Sequence, residues 1–261
     1  MTLPSISIIT PSYNQGRFIE RTVRSVLEQD YPALEYQVMD GGSTDDTLEV
    51  LRRYQPRLKL ISQKDGGQSA ALNQGFQRTS GEIVGWINSD DYYLPGALQA
   101  VSAHFAAHPG VEGLYGRCPI VDERDREHKR LITLYKELWA RRYCYGRLLV
   151  ENFISQPAVF FRRRLLEKAG PLEPSYQNAM DYHLWLRFGA LAEPAFLDRP
   201  LACFRSYADN KTTVSFRRTF DEELDAARRV AGGRHPLLVA LHGINRFKLL
   251  SAYTLLSRLS R

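Results

Sequence analysis

The sequence predicts an α/β fold: a mostly parallel sheet flanked by helices, with a helical C-terminal extension. Over the first 110 residues, short apolar runs alternate with amphipathic ones, which is typical of successive βα units. From His235 onward, leucines recur among basic residues, which indicates a helical end of the chain. With 261 residues, 44% of them hydrophobic, the chain is large enough for one sizeable core.

Strands and helices can be placed in order along the first half. Four apolar runs predict strands at 6–10, 36–39, 58–61 and 82–87. The helices between them are predicted at 18–27, 43–54 and 68–78. Ser43, with Asp46 three residues on, indicates a capping box that opens the second helix. Pro95 fits the first turn of a helix after the fourth strand.

Beyond residue 110 the pattern is less regular. Strand-like pieces occur in 111–121, and the apolar run at 158–161 predicts another strand. The segment 139–152, rich in Arg and Tyr, is a helix or a mobile loop, and 182–188 is predicted as a helix.

Charge and cysteine usage narrow the classes of partner. Asp225 is the last acid of a chain with net charge +6, and seven Arg or Lys residues follow it. Such a basic end favours an anionic surface, a membrane or a nucleic acid. Because no nucleic-acid-binding motif accompanies it, we expect no nucleic acid partner. Three widely spaced cysteines form neither a disulfide framework nor a metal pattern, so we expect buried free thiols.

The N-terminal residues 1–4 lead directly into an apolar run, without the basic flank or cleavage site of a signal peptide. No apolar stretch reaches the ~18 residues that span a bilayer. We therefore expect a cytoplasmic location, or a peripheral one on the inner face of the cytoplasmic membrane.

Polar clusters follow each of the four predicted strands. They are Pro11–Asn14, Asp40–Ser43, Asp65–Gln68 and Asn88–Asp91. In an open α/β sheet, ligands bind beyond the carboxyl ends of the strands, so these clusters predict a binding rim. Each cluster alone could be an ordinary turn, because Gly, Asp, Asn and Ser are common turn formers.

Asp90 and Asp91 are adjacent carboxylates directly after a buried strand, where they repel each other unless a cation or solvent separates their charges. Mg²⁺ and Mn²⁺ prefer one or two carboxylates together with substrate phosphates and water. The pair therefore predicts a divalent metal site for a diphosphate-linked ligand. The alternative is a helix N-cap on a solvated turn.

Five runs resemble motifs of the inverting family-two glycosyltransferases, which have the GT-A fold. They are residues 8–14, 40–45, 65–73, 86–91 and 179–187. The motifs stand in the family's order and spacing, and the likeness covers roughly residues 5–215. It implies a nucleotide-diphospho-sugar donor and does not indicate which sugar is transferred.

The resemblance implies a set of donor-binding residues: Pro11, Tyr13, Asn14, Asp40, Gly42, Asp65, Asn73 and Asp90. Pro11 and Tyr13 would line the base. Asp40 would accept a hydrogen bond from a base imide, which favours UDP; dTDP and GDP stay open. Asp90 would contact the ribose or the metal, Mn²⁺ or Mg²⁺, and Asp91 would complete the metal site.

The resemblance also implies that Asp181 is the general base that deprotonates the acceptor hydroxyl, in a single displacement with inversion. The alternative is that Asp181 caps the helix that follows it.

Three positions depart from the family pattern: Asn88 replaces an Asp, Met180 replaces an acid, and Tyr207 stands where a His is common. Arg205 and Lys211 are therefore expected to contact the diphosphate. The Gln-X-X-Arg-Trp signature of processive synthases is missing, which favours transfer of one sugar at a time.

Acceptor contacts are expected in the second half of the chain, at Gln156, His183 and Trp185, although Trp185 could equally be a core residue. The acceptor would be a glycan or a polyprenyl-linked sugar. The C-terminal segment either lies on an anionic membrane or forms a helical hairpin that closes the domain or a homodimer.

We thus expect three segments: a nucleotide-sugar-binding half at 1–110, an acceptor-side half at 111–215, and a basic helical extension at 216–261. The predicted activity is a transferase of surface polysaccharide or glycolipid synthesis. The alternatives are a catalytically inactive nucleotide-sugar-binding module, whose hallmark would be a missing Asp90, Asp91 or Asp181, and a sugar nucleotidyltransferase, which would open with a Gly-rich phosphate loop.

Overall fold

The computed structural model describes the backbone of residues 3–259, and the side chains of these residues except 212, 213, 249 and 252–259. In chain order, the strands are β1 (Ile6–Ser12), β2 (Leu34–Asp40), β3 (Lys59–Ser62), β4 (Ile83–Trp86), β5 (Tyr92–Tyr93), β6 (Gly113–Arg117), β7 (Ile120–Val121), β8 (Val159–Arg162), β9 (Ala195–Pro200) and β10 (Ala202–Arg205).

The helices are α1 (Gly16–Leu27), α2 (Thr47–Arg52), α3 (Gln68–Arg78), α4 (Ala97–Ala107), α5 (Arg130–Ala140), α6 (Tyr145–Leu148), α7 (Arg163–Ala169), α8 (Met180–Leu191), α9 (Lys211–Val214), α10 (Phe216–Ala231) and α11 (Pro236–Leu259). A short 3₁₀ turn spans Gln156–Ala158.

The main sheet has the strand order β3-β2-β1-β4-β8-β6-β9. The first four of these strands are parallel, β8 is antiparallel to both of its neighbours, and β9 is parallel to β6. The predicted α/β architecture with a mostly parallel sheet is therefore confirmed. A smaller sheet, β5-β10-β7, places β10 beside the loop that follows β4.

Apolar cores fill both faces of the main sheet. On β1, Ile8 packs with α1 and α4 on one face, whereas Ile9 packs with α3 and α8 on the other. This alternation is the two-residue period of a strand. At Gly75 in α3, a Cβ would lie 2.6 Å from Cγ2 of Ile9, so glycine is required for the close approach of α3 to β1.

The C-terminal helices α10 and α11 pack against each other, and α10 also packs against α8, which confirms the predicted helical extension. In α11, the His242 ring makes a 2.9 Å hydrogen bond with the Leu149 carbonyl. None of the helices in the described part of the chain has the length and apolar character needed to cross a bilayer.

Two local predictions are wrong. Ser43 does not cap the second helix, because α2 begins at Thr47 and the Ser43 hydroxyl is bonded to Asp40 instead. Pro95 lies before its helix rather than inside it, because Gly96 is the N-cap of α4, with φ of 72°. The cysteines are free as expected, but Cys144 is exposed.

Candidate active site

The turns after β1 and β2 are joined by hydrogen bonds between their polar residues. The Ser43 hydroxyl accepts the backbone N–H of Asn14 at 2.8 Å and donates to Oδ1 of Asp40 at 2.5 Å. Oδ1 of Asn14 accepts the Thr44 N–H at 2.8 Å. Asn14 has φ of 51°, a left-handed conformation for which asparagine is enriched. The two turns therefore form one continuous edge.

Asp40 extends this edge to β3. Its Oδ2 accepts the N–H groups of Gly42 and Ser43, both at 3.0 Å, and the Ser62 hydroxyl at 2.7 Å. The side chain is 2% exposed. Since Oδ1 accepts only the Ser43 hydroxyl among the described bonds, it keeps capacity for one further donor.

The turn after β3 lies against the same edge. Oδ1 of Asp65 accepts the Gly67 N–H at 2.8 Å, and a Cβ on Gly41 would lie only 3.2 Å from Oδ2 of Asp65. Gly42 has φ of 84°, which favours glycine. The carboxylate of Asp65 can approach the β2 turn because residue 41 has no side chain.

The other residues predicted to bind the sugar nucleotide differ in exposure and in hydrogen bonding. The Tyr13 ring is 60% exposed at the rim, whereas Pro11 is buried within β1. Asn73 donates to the Leu172 carbonyl and accepts the Leu172 N–H, both at 2.9 Å. Both ends of this amide therefore bind the backbone, and Asn73 joins α3 to the segment that precedes α8.

The adjacent acids after β4 differ in exposure. Asp90 is partly exposed, and its Oδ2 accepts the Tyr207 hydroxyl at 3.0 Å. Asp91 is fully buried, and its Oδ1 accepts the backbone N–H of Arg205 at 2.8 Å. Burial raises the pKa of both carboxyls, and the charge on Asp90 raises the pKa of Asp91 further. Asp90 is therefore the more accessible of the two carboxyl groups.

Arg205 is buried behind this loop. Its guanidinium donates to the backbone carbonyls of Asp90 at 2.9 Å and Asp122 at 3.0 Å, and Nη2 lies 2.6 Å from Oδ1 of Asp125. The side chain is only 2% exposed. The diphosphate contact predicted for Arg205 therefore disagrees with its position, in which the guanidinium supports the loop from behind.

Hydrogen bonds between side-chain amides join Gln68, at the start of α3, to the loop that follows β4. Lys211 Nζ donates to Gln68 at 3.3 Å, and Gln68 Nε2 donates to Oδ1 of Asn88 at 2.8 Å. Nδ2 of Asn88 donates to Oε1 of Gln156 at 3.1 Å, and Gln156 donates to the Trp86 carbonyl at 2.8 Å. Asn88 is thus both acceptor and donor in one network, which an aspartate could not be when ionised.

Asp181 is the second residue of α8 and is partly exposed, while Ala179 is the N-cap, so Asp181 does not cap its helix. Burial raises the pKa of the Asp181 carboxyl, whereas the Tyr182 N–H and the charges of Lys136 and Lys211 lower it. Lys211 also bonds Gln68, so the Asp181 surroundings and the amide chain meet at this lysine.

Two predicted acceptor residues lie away from this centre. Trp185 is 3% exposed and stacks on Trp86, with ring centroids 5.2 Å apart, so it is a core residue. His183 packs on Tyr176, and burial lowers its pKa to about 4. Gln156, by contrast, belongs to the amide chain.

The residues after β4 fit a hard cation of the kind that keeps substrate ligands. Within the described part of the chain, no three His, Cys, Asp or Glu side chains are grouped to hold a metal by themselves. Mg²⁺ sites commonly use one or two carboxylates and take further oxygens from phosphate and water. The partly exposed Asp90, beside a second buried acid, matches that donor set.

Residues 7–170 match the family model described as glycosyl transferase family 2. The chain belongs to this family. It is 28% identical over 231 residues to an uncharacterised glycosyltransferase of Nostoc, covering 84% of this chain and 70% of the relative. The predicted membership is therefore confirmed, and the protein is a glycosyltransferase.

Solved structures share the fold of this glycosyltransferase. A mannosyltransferase from Pyrobaculum calidifontis, in complex with GDP-Man and Mn²⁺, has a TM-score of 0.67 and 20% identity over 98% of this chain and 81% of that one. S. aureus TarS 1–349, in complex with UDP-GlcNAc, has a TM-score of 0.66 and 20% identity over 85% of this chain and 66% of that one.

Some residues of the site were not predicted from the sequence. Lys136 lies on α5 and carries no motif of its own, whereas Gln68 belongs to the predicted polar cluster after β3 but had no role assigned to it. Glu222 and Glu223 come from the C-terminal extension, and only tertiary packing brings them to α8. Tyr207 stands where a His is common in the family, and the structure pairs its hydroxyl with Asp90.

Proposed function

We propose that this glycosyltransferase transfers one sugar per reaction, with inversion, from a nucleotide-diphospho-sugar to a hydroxyl of a glycan or lipid-linked acceptor. The observation that carries the proposal is the bonded path from the β4 loop through Asn88 and Gln68 to Lys211, beside Asp181. A sugar nucleotide whose diphosphate is held at the β4 loop would have its sugar near Asp181.

Residues 1–110 would bind the donor, and 111–215 would supply the acceptor side. The base would stack on Tyr13 and meet Oδ1 of Asp40, and its nucleotide would lie along the edge made by Asn14, Gly42 and Asp65. UDP is the first candidate, since the related fold of TarS was solved with UDP-GlcNAc; GDP is the second, from the mannosyltransferase complex.

Asp90 would hold the divalent cation, Mn²⁺ or Mg²⁺, with Asp91 supporting the loop. When bound, such a cation neutralises the negative charge that develops on the departing diphosphate. Lys211 would add positive charge near the same oxygens, because its side chain is exposed and lies close to Asp181 and Gln68.

Asp181 would accept the proton of the acceptor hydroxyl as that oxygen attacks the anomeric carbon. The bond from this carbon to the diphosphate oxygen breaks, and its electron pair leaves with the nucleoside diphosphate. The raised pKa of Asp181 suits this role, because a carboxylate in buried surroundings is a stronger base than one in water.

The acceptor side would use Gln156, at the end of the amide chain. For a lipid-linked acceptor in surface polysaccharide or glycolipid synthesis, α11 offers exposed apolar side chains at Leu237, Leu241, Ile244 and Phe247. Sedimentation with anionic vesicles tests membrane contact through this helix. A molar mass in solution that rises from that of a monomer to that of a dimer as protein concentration increases would instead favour a homodimer.

A thermal-shift panel tests donor and metal together. UDP-, dTDP- and GDP-sugars are added with and without Mn²⁺ to the wild type, to Asp90→Ala and to the exposed control Asp209→Asn. We expect one nucleotide class to raise Tm more with Mn²⁺, in the wild type and control only. An equal rise without Mn²⁺, or in Asp90→Ala, would contradict the metal site.

A further inference from the structure

Helix α10 of the C-terminal extension reaches the end of α8 that carries Asp181. Oε2 of Glu222 accepts the backbone N–H of Asn178 at 2.7 Å and that of Ala179 at 3.1 Å. On the same helix, Arg218 donates to Oε1 of Glu222 at 2.7 Å. The N-terminal N–H groups of a helix lack partners within it, so a carboxylate here stabilises the first turn.

The N-cap residue of α8 gives its helix no side-chain cap. Ala179 has no polar side chain, and the helix shows no side-chain cap bond of its own. Glu222 therefore does from another helix what the N3 glutamate of a capping box does locally, because it accepts the N–H of the N-cap residue. Because Asp181 lies two residues beyond Ala179, this contact fixes the backbone that carries the proposed base.

The next residue on α10, Glu223, is also an acid and is buried. Glu223 is 9% exposed, and its Oε1 accepts the Asn152 amide at 3.3 Å. Burial and then the charge of Asp181 raise the pKa of Glu223 to about 8. The raised pKa favours the neutral form of this buried carboxyl group.

Charged groups from several elements surround this pair. Lys136 on α5 acts on both carboxyls, and Lys211 on α9 acts on Asp181. Glu151, in the segment after α6, acts on Glu223 and raises its pKa. Glu223 therefore lies within the electrostatic reach of Asp181, of Lys136 and of a third acid.

We propose that α10 belongs to the catalytic centre: Glu222 is a positioning residue that holds the first turn of α8, and Glu223 is the second carboxyl group beside Asp181. This inference rests on the proposed role of Asp181 as general base. It gives the C-terminal extension a direct part in transfer, in addition to any contact with membrane or partner.

The two residues have separable effects. Loss of the Glu222 contact would make the first turn of α8, which carries Asp181, less rigid. Small displacements of a catalytic group lower turnover strongly. Ionisation of Glu223 at high pH places a negative charge near Asp181. That charge favours proton uptake by Asp181, so turnover rises as Glu223 ionises.

Hydrogen–deuterium exchange of the full chain without ligand tests Glu222. In Glu222→Ala, we expect faster exchange in peptides covering 178–183, and near wild-type exchange in Glu222→Gln, whose carbonyl oxygen still accepts both N–H groups. The control is Asp221→Asn on the same helix, because exposed Asp221 pairs with Arg246 instead. Unchanged exchange in Glu222→Ala would overturn this part.

A ¹³C titration of carboxyl-labelled protein tests Glu223. The Asp181 signal, identified by its loss in Asp181→Asn, should shift in two steps in the wild type, the second near pH 8. That second step should be missing in Glu223→Gln. The same two-step curve in the variant would contradict the pairing of the two groups.

Turnover then separates this inference from the proposed function. The readout is release of nucleoside diphosphate from the sugar nucleotide that shifts Tm most, with water as acceptor. We expect kcat to fall at least ~10-fold in Glu222→Ala, with rescue in Glu222→Gln and unchanged donor binding. If Asp181→Asn is inactive while Glu222→Ala is normal, only this inference fails; if Asp181→Asn keeps turnover, the proposed base itself fails.

Discussion

The backbone N–H of Arg205 donates to Oδ1 of Asp91 at 2.8 Å, and this bond joins β10 to the loop that follows β4. Asp91 is fully buried and holds the loop through this bond, whereas its neighbour Asp90 is partly exposed. The adjacent acids thus have different tasks, although the sequence gives them the same residue type.

Substitution of Asp91 separates its charge from its hydrogen bond. Asp91→Asn keeps an oxygen that accepts the Arg205 N–H, whereas Asp91→Ala leaves this buried donor unpaired. We expect Asp91→Ala to be less stable than Asp91→Asn by about 1–3 kcal/mol, the usual penalty for an unsatisfied buried group. Urea unfolding at pH 7 measures the difference, and equal midpoints and slopes would contradict the proposed role.

Asn88→Asp should be destabilising in a pH-dependent way. The new carboxylate would place an oxygen 3.1 Å from Oε1 of Gln156 and 3.4 Å from Oδ2 of Asp91, where Nδ2 now donates. Protonation relieves this repulsion, so the loss of Tm should be smaller at pH 5 than at pH 8. Asn88→Ala, which introduces no charge, should show a loss of Tm that varies little with pH.

Glu223 should make the free energy of unfolding depend on pH. Its pKa is about 8 in the folded chain and about 4.3 in the unfolded chain, so the folded state binds more protons. Stability is therefore lost as pH rises from about 4.3 to 8. Glu223→Gln should gain stability relative to the wild type across this window, and a difference in Tm that stays constant from pH 5 to 8 would contradict the assignment.

Gly75→Ala tests the packing of α3 on β1. The added methyl group would lie 2.6 Å from Cγ2 of Ile9, a fully buried residue of a central strand. We expect a loss of about 1–3 kcal/mol from overpacking, against a gain of ~1 kcal/mol in helix propensity. At Gly243, which also lies in a helix, a Cβ meets nothing within 4 Å, so Gly243→Ala is the matched control in chemical unfolding.

Local patterns were sufficient for the first half of the fold. The predicted helix at 68–78 coincides with α3, and the four predicted strands match β1 to β4 within a few residues. The polar rim followed from the rule that parallel strands present their carboxyl ends together. Asn14, Asp40, Gly42 and Asp65 do adjoin there.

The partners of several side chains depend on tertiary contacts that residue spacing does not predict. The Ser43 hydroxyl binds Asp40 rather than a helix end, and Trp185 stacks on Trp86 rather than facing an acceptor. Glu223 lies far along the chain from Asp181, and nothing in its own segment indicates that α10 packs on α8. Such choices depend on which partners are close in space, which residue spacing does not specify.

The central claim is that Asp181 removes the acceptor proton while the donor is held elsewhere. It is tested most directly by comparing the wild type and Asp181→Asn in two assays: calorimetric binding of the donor nucleotide with Mn²⁺, and turnover of its sugar nucleotide. We predict unchanged nucleotide affinity and a fall in kcat of at least ~10²-fold in the variant. Near-normal turnover with intact binding would contradict the account.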